Sequence, residues 1–207
     1  MRTAAVLPVK TFGRAKQRVG GAVPDRGELA EAMLADVLSA LAQVPAIDEL
    51  VVVTKEPRAA AAAAGAVVVD DPVEAGQSAA AARGIDEALA RRAERTLLVP
   101  GDCPALDPSE VAALLERTAD VVIVPDRHGS GTNALLLSPP EVIPPSFGPG
   151  SFARHAALAR AVGATVRVAE LPSLGLDIDT PADLAALAEL PRGAERTRAL
   201  LGLAAAR

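Results

Sequence analysis

At 207 residues, half of them apolar, the chain has the length and the apolar content for one globular domain on one continuous core. The formal charge of -5 and an aromatic content of 1% argue against a general nucleic-acid surface, so any anionic ligand must meet locally concentrated positive charge. The lone Cys103 leaves no internal disulfide, and with only His128 and His155 as further soft ligands a structural zinc site is not expected.

The opening residues, MRTAAVLPVK, place a Pro and a Lys where a secretory signal needs an unbroken apolar region. The longest apolar stretch, Ala59 to Val69, falls short of the roughly 18 residues of a membrane span. A cytoplasmic protein that neither enters a membrane nor binds nucleic acid is expected.

Along the chain, Ala4–Val9, Leu50–Thr54, Ala66–Val69, Thr96–Val99 and Val121–Pro125 read as strands that are apolar on both faces. Between them, residues 28–43, 58–64, 78–92 and 108–117 have helix-forming composition, the last with Asp107 as a cap before Pro108. That alternation predicts a mostly parallel sheet covered by helices on both faces, a Rossmann-like α/β domain spanning residues 1–207. Beyond Pro125 the rhythm breaks into a possible strand at 133–137, a Pro/Gly-rich loop to Gly150, a helix at 151–162, a strand at 165–170 and a helix at 181–190. The Ala-rich segments at 59–64 and 79–82 are assigned to close helix packing. Residues 191–207 are weakly specified.

In open parallel sheets, ligands bind beyond the carboxyl ends of the strands, which directs attention to four loops. The first, Pro8 to Arg18, carries Lys10, Arg14, Lys16 and Arg18. It fits neither common phosphate-loop pattern, yet its charge suits a triphosphate; a merely solvated basic loop is the alternative. In the second, Leu98-Val99-Pro100-Gly101-Asp102-Cys103, an apolar strand runs into a carboxylate that either meets magnesium or caps a turn. Cys103 reads as a small buried hydrophobe because no base is near it in the pattern.

The third loop runs from Asp126 to Asn133 and continues through Phe147-Gly148-Pro149-Gly150-Ser151-Phe152-Ala153-Arg154-His155. Ser151 sits where a helix begins, so its hydroxyl and the first free amides either cradle an anion, with Arg154 adding charge, or form an ordinary cap. Each histidine adjoins an arginine, which discourages protonation, and neither is expected to be a catalytic base. The fourth loop is Asp177-Ile178-Asp179-Thr180-Pro181-Ala182-Asp183. In extended chain Asp177 and Asp179 share a face, and their repulsion asks for a cation between them. Asp183 reads as the reciprocal partner of Thr180 in a capping box.

Taken in order, LPVK with its basic loop, VPGDCPAL, VPDRHGSGTNALLL, FGPGSFARH and LDIDTPADL resemble the phosphoenolpyruvate / 2-phospho-L-lactate guanylyltransferases of coenzyme F-420 biosynthesis, over residues 6 to about 190. The resemblance implies a nucleotidyltransferase fold, GTP as co-substrate, magnesium, and a three-carbon phosphoacid acceptor. It places the metal carboxylates at Asp102, Asp177 and Asp179, and the acceptor-binding positions at Thr132, Gly148 and Ser151. After the third strand the family often carries Gly-Leu-Asn where this chain has Gly76-Gln77-Ser78. Ser78 is expected to cap a helix there, with guanine recognition altered. In this reading Lys10, Lys16 and Arg18 neutralise the triphosphate and the departing pyrophosphate. The alternatives are a sugar-phosphate or molybdopterin-type nucleotidyltransferase, a metal-dependent sugar transferase, and a nucleotide-binding regulatory module without turnover. The sequence is silent on oligomeric state.

Overall fold

The computed structural model describes residues 1–14, 25–190 and 192–203. Among them lies a seven-stranded sheet of β1 (Thr3–Pro8), β2 (Glu49–Thr54), β3 (Val67–Asp70), β4 (Arg95–Leu98), β5 (Val121–Pro125), β6 (Thr132–Leu137) and β7 (Val166–Val168). Its order is β3-β2-β1-β4-β6-β5-β7. All neighbours run parallel except that β6 is antiparallel to both β4 and β5.

Strand residues alternate between two cores, which is why the strands read as apolar on both faces. Ala5, Leu7, Val52, Leu97 and Val122 point to one side, where α1 (Arg26–Leu41), α2 (Pro57–Ala62) and α4 (Pro108–Leu115) pack. Val6, Val51, Val53, Leu98 and Ile123 point to the other, against α3 (Gln77–Ala90) and α5 (Ser151–Ala161). The Ala-rich segments do serve packing: Ala59 and Ala81 are fully buried. At Gly84 the helix approaches the sheet so closely that a Cβ would lie 2.2 Å from Val6 Cγ1. No helix among the described residues is long and apolar enough to cross a membrane.

Three elements go beyond the sequence expectation: a 3₁₀ turn at Phe12–Arg14, and the helices α6 (Pro172–Gly175) and, after α7 (Pro181–Glu189), α8 (Glu195–Leu200). The last docks on α1 through Asp36, whose carboxylate accepts from the backbone N–H of Arg196 and of Thr197 and from the Thr197 hydroxyl.

Candidate nucleotidyl-transfer site

The chain moves outward from β1 to β2 and β3 and then crosses back to β4, so the strand order reverses between β1 and β4. A crevice opens beyond the carboxyl ends of strands at such a reversal. Here it is a cleft of about 630 Å³, lined by Lys10 after β1, Asp71, Glu74 and Gln77 after β3, Gly101 and Asp102 after β4, and Asp179 before α7. Its size matches small-molecule sites.

The described start of the basic loop lines this cleft through Pro8, Val9, Lys10 and Phe12, under firm restraint. Thr11 donates from its N–H at 2.6 Å and its hydroxyl at 2.7 Å to Glu74 Oε1, while the Phe12 N–H donates to Glu56 Oε2 at 3.0 Å. The other Glu74 oxygen lies 2.8 Å from Lys55 Nζ. The hydrogen bond from Lys55, followed by those from Thr11, pulls the Glu74 carboxyl down to about 2. Lys10 is exposed at the cleft. Lys16 and Arg18 lie outside the described residues.

The two acidic loops are joined by a main-chain bond from Ile178 N–H to the carbonyl of Asp102 at 3.0 Å. Asp102 and Asp179 both line the cleft. Asp177 is not part of that lining; Asn133 Nδ2 donates to its Oδ1 at 3.3 Å and to the Leu174 carbonyl at 2.8 Å. Burial pushes the Asp177 carboxyl above its ordinary value, and the negative charges of Asp102 and Asp179 push the same way. The expected convergence is therefore felt electrostatically. Among the described residues, however, no three Asp, Glu, His or Cys side chains form a preformed metal cluster. An all-oxygen donor set suits a hard divalent cation, and magnesium commonly takes one or two carboxylates with phosphates completing its shell. Asp102 and Asp179 fit that requirement. Cys103 is fully buried, its Sγ 3.6 Å from the Leu174 carbonyl, as its reading as a small hydrophobe anticipated.

Because β6 runs antiparallel, its first residue, Thr132, lies at the same end of the sheet as the carboxyl ends of β4 and β5. Thr132 Oγ1 is 3.0 Å from His155 Nδ1, and Ser146 N–H donates to His155 Nε2 at 2.8 Å. Burial first, and then the neighbouring Arg154 charge, lower the His155 pKa to about 4, so it is neutral as expected.

The start of α5 departs from expectation. Gly150, at φ 72°, is the cap residue, and Ser151 is the buried first helical residue with no side-chain cap. The amides of Ser151 and Phe152 already donate to the carbonyls of Gly148 and Ser130, so they are not free to cradle an anion. Arg154 likewise turns back on the loop, donating to the Ser146 hydroxyl and to the carbonyls of Ser146, Phe147 and Pro149. Gly148, at φ 108°, makes the turn this staple encloses. Ser78 does not cap α3 either, since Gly76 stands at that position; its hydroxyl accepts from Phe147 N–H at 2.8 Å and ties α3 to the same loop. Asp183 completes the anticipated capping box with Thr180.

Sequence reasoning passed over Asp71 and Glu74, although the strand-end rule that selected four loops applies equally to the acidic run after β3. It also passed over Asn133, whose role depends on Asp177 more than 40 positions away.

The family model described as "Guanylyl transferase CofC like" matches residues 3–198. A protein from Conexibacter woesei named phosphoenolpyruvate guanylyltransferase is 51% identical, with 97% of this chain and 96% of that protein covered. One of the same name from Sphaerobacter thermophilus is 40% identical, with 91% and 93% covered. Among solved structures, a putative nucleotide-diphospho-sugar transferase from Desulfovibrio desulfuricans superposes with a TM-score of 0.76 at 18% identity, covering 98% of this chain and 95% of its own. A Mycobacterium tuberculosis protein solved in complex with manganese gives 0.56 at 20% identity, covering 90% and 98%. At these identities the structures speak for the fold.

Proposed function

The chain belongs to the guanylyl transferase CofC-like family, and from that premise we propose that it transfers GMP from GTP to phosphoenolpyruvate, releasing pyrophosphate, in coenzyme F-420 biosynthesis. The observation that carries the reading is the cleft at the strand-order reversal, where Lys10 and the carboxylates Asp102 and Asp179 face one space.

The acceptor phosphate is largely a dianion at neutral pH, with a second pKa near ~6, and needs no protein base. One of its oxygens forms a bond to the α-phosphorus of GTP while the bond from that phosphorus to the bridging oxygen breaks, and pyrophosphate leaves with the electron pair. Positioning and charge stabilisation then supply most of the rate. Lys10 neutralises triphosphate charge, and Lys16 and Arg18 are proposed for the same work. Asp102 and Asp179, with Asp177 adjacent, would hold magnesium, which when bound draws negative charge from the phosphates. Thr132, Gly148 and Ser151 are proposed to receive the acceptor, and the cytoplasm is the proposed location.

Mass spectrometry after mixing the protein with GTP, magnesium and a panel of three-carbon phosphoacids tests the whole reading. The guanylylated acid and an equivalent of pyrophosphate are expected. Pyrophosphate release with sugar phosphates alone would place the chain among other nucleotidyltransferases, and binding of GTP without release would make it a regulatory module.

A further inference from the structure

His155 is fully buried on α5, and both of its ring nitrogens are engaged by partners from other segments. A main-chain amide can only donate, so the 2.8 Å bond from Ser146 N–H requires a lone pair on Nε2. The single proton of the neutral ring is thereby assigned to Nδ1, 3.0 Å from Thr132 Oγ1. The opposite tautomer, or the imidazolium, would set an Nε2–H directly against the Ser146 N–H. Burial and the Arg154 charge work in the same direction by holding the ring neutral.

A threonine hydroxyl has one proton and two lone pairs. With Nδ1–H donating to Oγ1, the hydroxyl cannot spend its own proton on the ring and must direct it elsewhere. We propose that His155 is a positioning residue for the acceptor: fixed as the Nδ1–H tautomer by Ser146, it turns Thr132 into an obligate hydrogen-bond donor to the anionic acceptor. The proposal rests on Thr132 being an acceptor-binding position. The same ring joins the start of β6, the loop at Ser146 and α5, and the Phe147 ring packs edge-on against it with centroids 5.2 Å apart. Tautomer and loop conformation are therefore linked, since a loop that withdrew Ser146 would release the proton assignment.

Two isosteric variants separate the two ring contacts. Asn places its amide near the Nδ1 position and keeps a donor for Thr132, whereas Gln reaches the Nε2 position and keeps an acceptor for Ser146. His155→Gln is expected to raise the KM for phosphoenolpyruvate roughly tenfold with the KM for GTP unchanged, and His155→Asn to raise it much less. In a Thr132→Val background the Gln substitution should add nothing. Equal effects of Asn and Gln, an equal rise in the KM for GTP, or additivity with Thr132→Val would overturn the proposal. The chain has two histidines, so nitrogen-15 NMR of His128→Ala reads His155 alone, and the Nδ1–H form is expected from pH 6 to 8. A protonated Nε2 there would also overturn it. This spectrum needs no turnover, so its outcome is separate from success or failure of the guanylyltransferase reading.

Discussion

The backbone N–H of Ile178 donates to the carbonyl of Asp102 at 3.0 Å, and that bond fixes the loop after β4 to the loop before α7. Asp177 and Asp179 flank Ile178, so the bond also brings Asp102 and Asp179 into the field of Asp177. The raised Asp177 carboxyl records the cost, with burial as its first cause and Asp102 as its second.

Asp102→Asn and Asp179→Asn are expected to abolish pyrophosphate release while leaving a cooperative unfolding transition. Near-normal turnover in both would remove the metal assignment. Asp177→Asn is expected to unfold at a higher temperature than the parent at pH 7 without divalent cation, because it deletes a half-buried charge that repels two others. The sign follows from the direction of the shift: a carboxyl that binds its proton more readily when folded destabilises the fold once ionised. The advantage of Asp177→Asn should therefore shrink as pH falls from neutral toward the ordinary carboxylate value near ~4. Melting scans across that range check it.

Glu74 lines the cleft proposed for GTP and holds Thr11 through two hydrogen bonds and Lys55 through an ion pair. Glu74→Gln is expected to raise the KM for GTP several-fold and leave the KM for the acceptor nearly unchanged. Lys55 first and then Thr11 hold the folded-state carboxyl down to about 2, from 4.5 unperturbed. Its contribution is complete above pH 4.5 and disappears as pH falls toward 2. Melting temperatures of parent and variant should accordingly differ at neutral pH and converge across that acid window. Parallel curves throughout would show that Glu74 anchors nothing.

The strands were legible because both of their faces are buried, which leaves unbroken apolar runs in β1, β2 and β5, and the long helices were legible from composition and from caps such as Asp107. Segments whose conformation depends on distant partners were not. Thr11 meets Glu74 across 63 positions, and α8 is short, polar and docked by a carboxylate 161 positions earlier. The acidic loops were visible as motifs, but only the fold distinguishes Asp102 and Asp179, which line the cleft, from Asp177, which does not. The start of α5 misled for a related reason: Ser151 looks like a cap in sequence, yet the left-handed Gly150 takes that position and distant Ser130 consumes a neighbouring amide.

Asp36→Ala tests the attachment of α8. It leaves the buried N–H and hydroxyl of Thr197 without their acceptor, a loss of about 1–3 kcal/mol, offset in small part by the higher helix propensity of Ala. For a chain of this size that corresponds to a fall in Tm of roughly 2–10 °C. Asp36 lies outside the cleft lining, so kcat at low temperature should be retained. An unchanged Tm would mean that α8 is not held by this carboxylate.

Phosphoenolpyruvate is expected to be used in preference to 2-phospho-L-lactate. Both acids carry a carboxylate and a phosphate on one carbon, so charge cannot discriminate them, and Thr132, Gly148 and Ser151 are proposed to receive either. They differ in shape at that carbon, planar with a methylene in one and tetrahedral with a methyl in the other. Shape differences of this size separate substrates by about 1–3 kcal/mol, which sets the expected ratio of kcat/KM at roughly tenfold to a couple of hundredfold. The direction follows from relatives at 51% and 40% identity that are named for the phosphoenolpyruvate reaction. Pyrophosphate release measured with GTP, magnesium and each acid separately gives the ratio directly. A preference for phospholactate would reverse the choice of acceptor while leaving guanylyl transfer in place, because the proposed attack on the α-phosphorus uses the acceptor phosphate, which both acids carry.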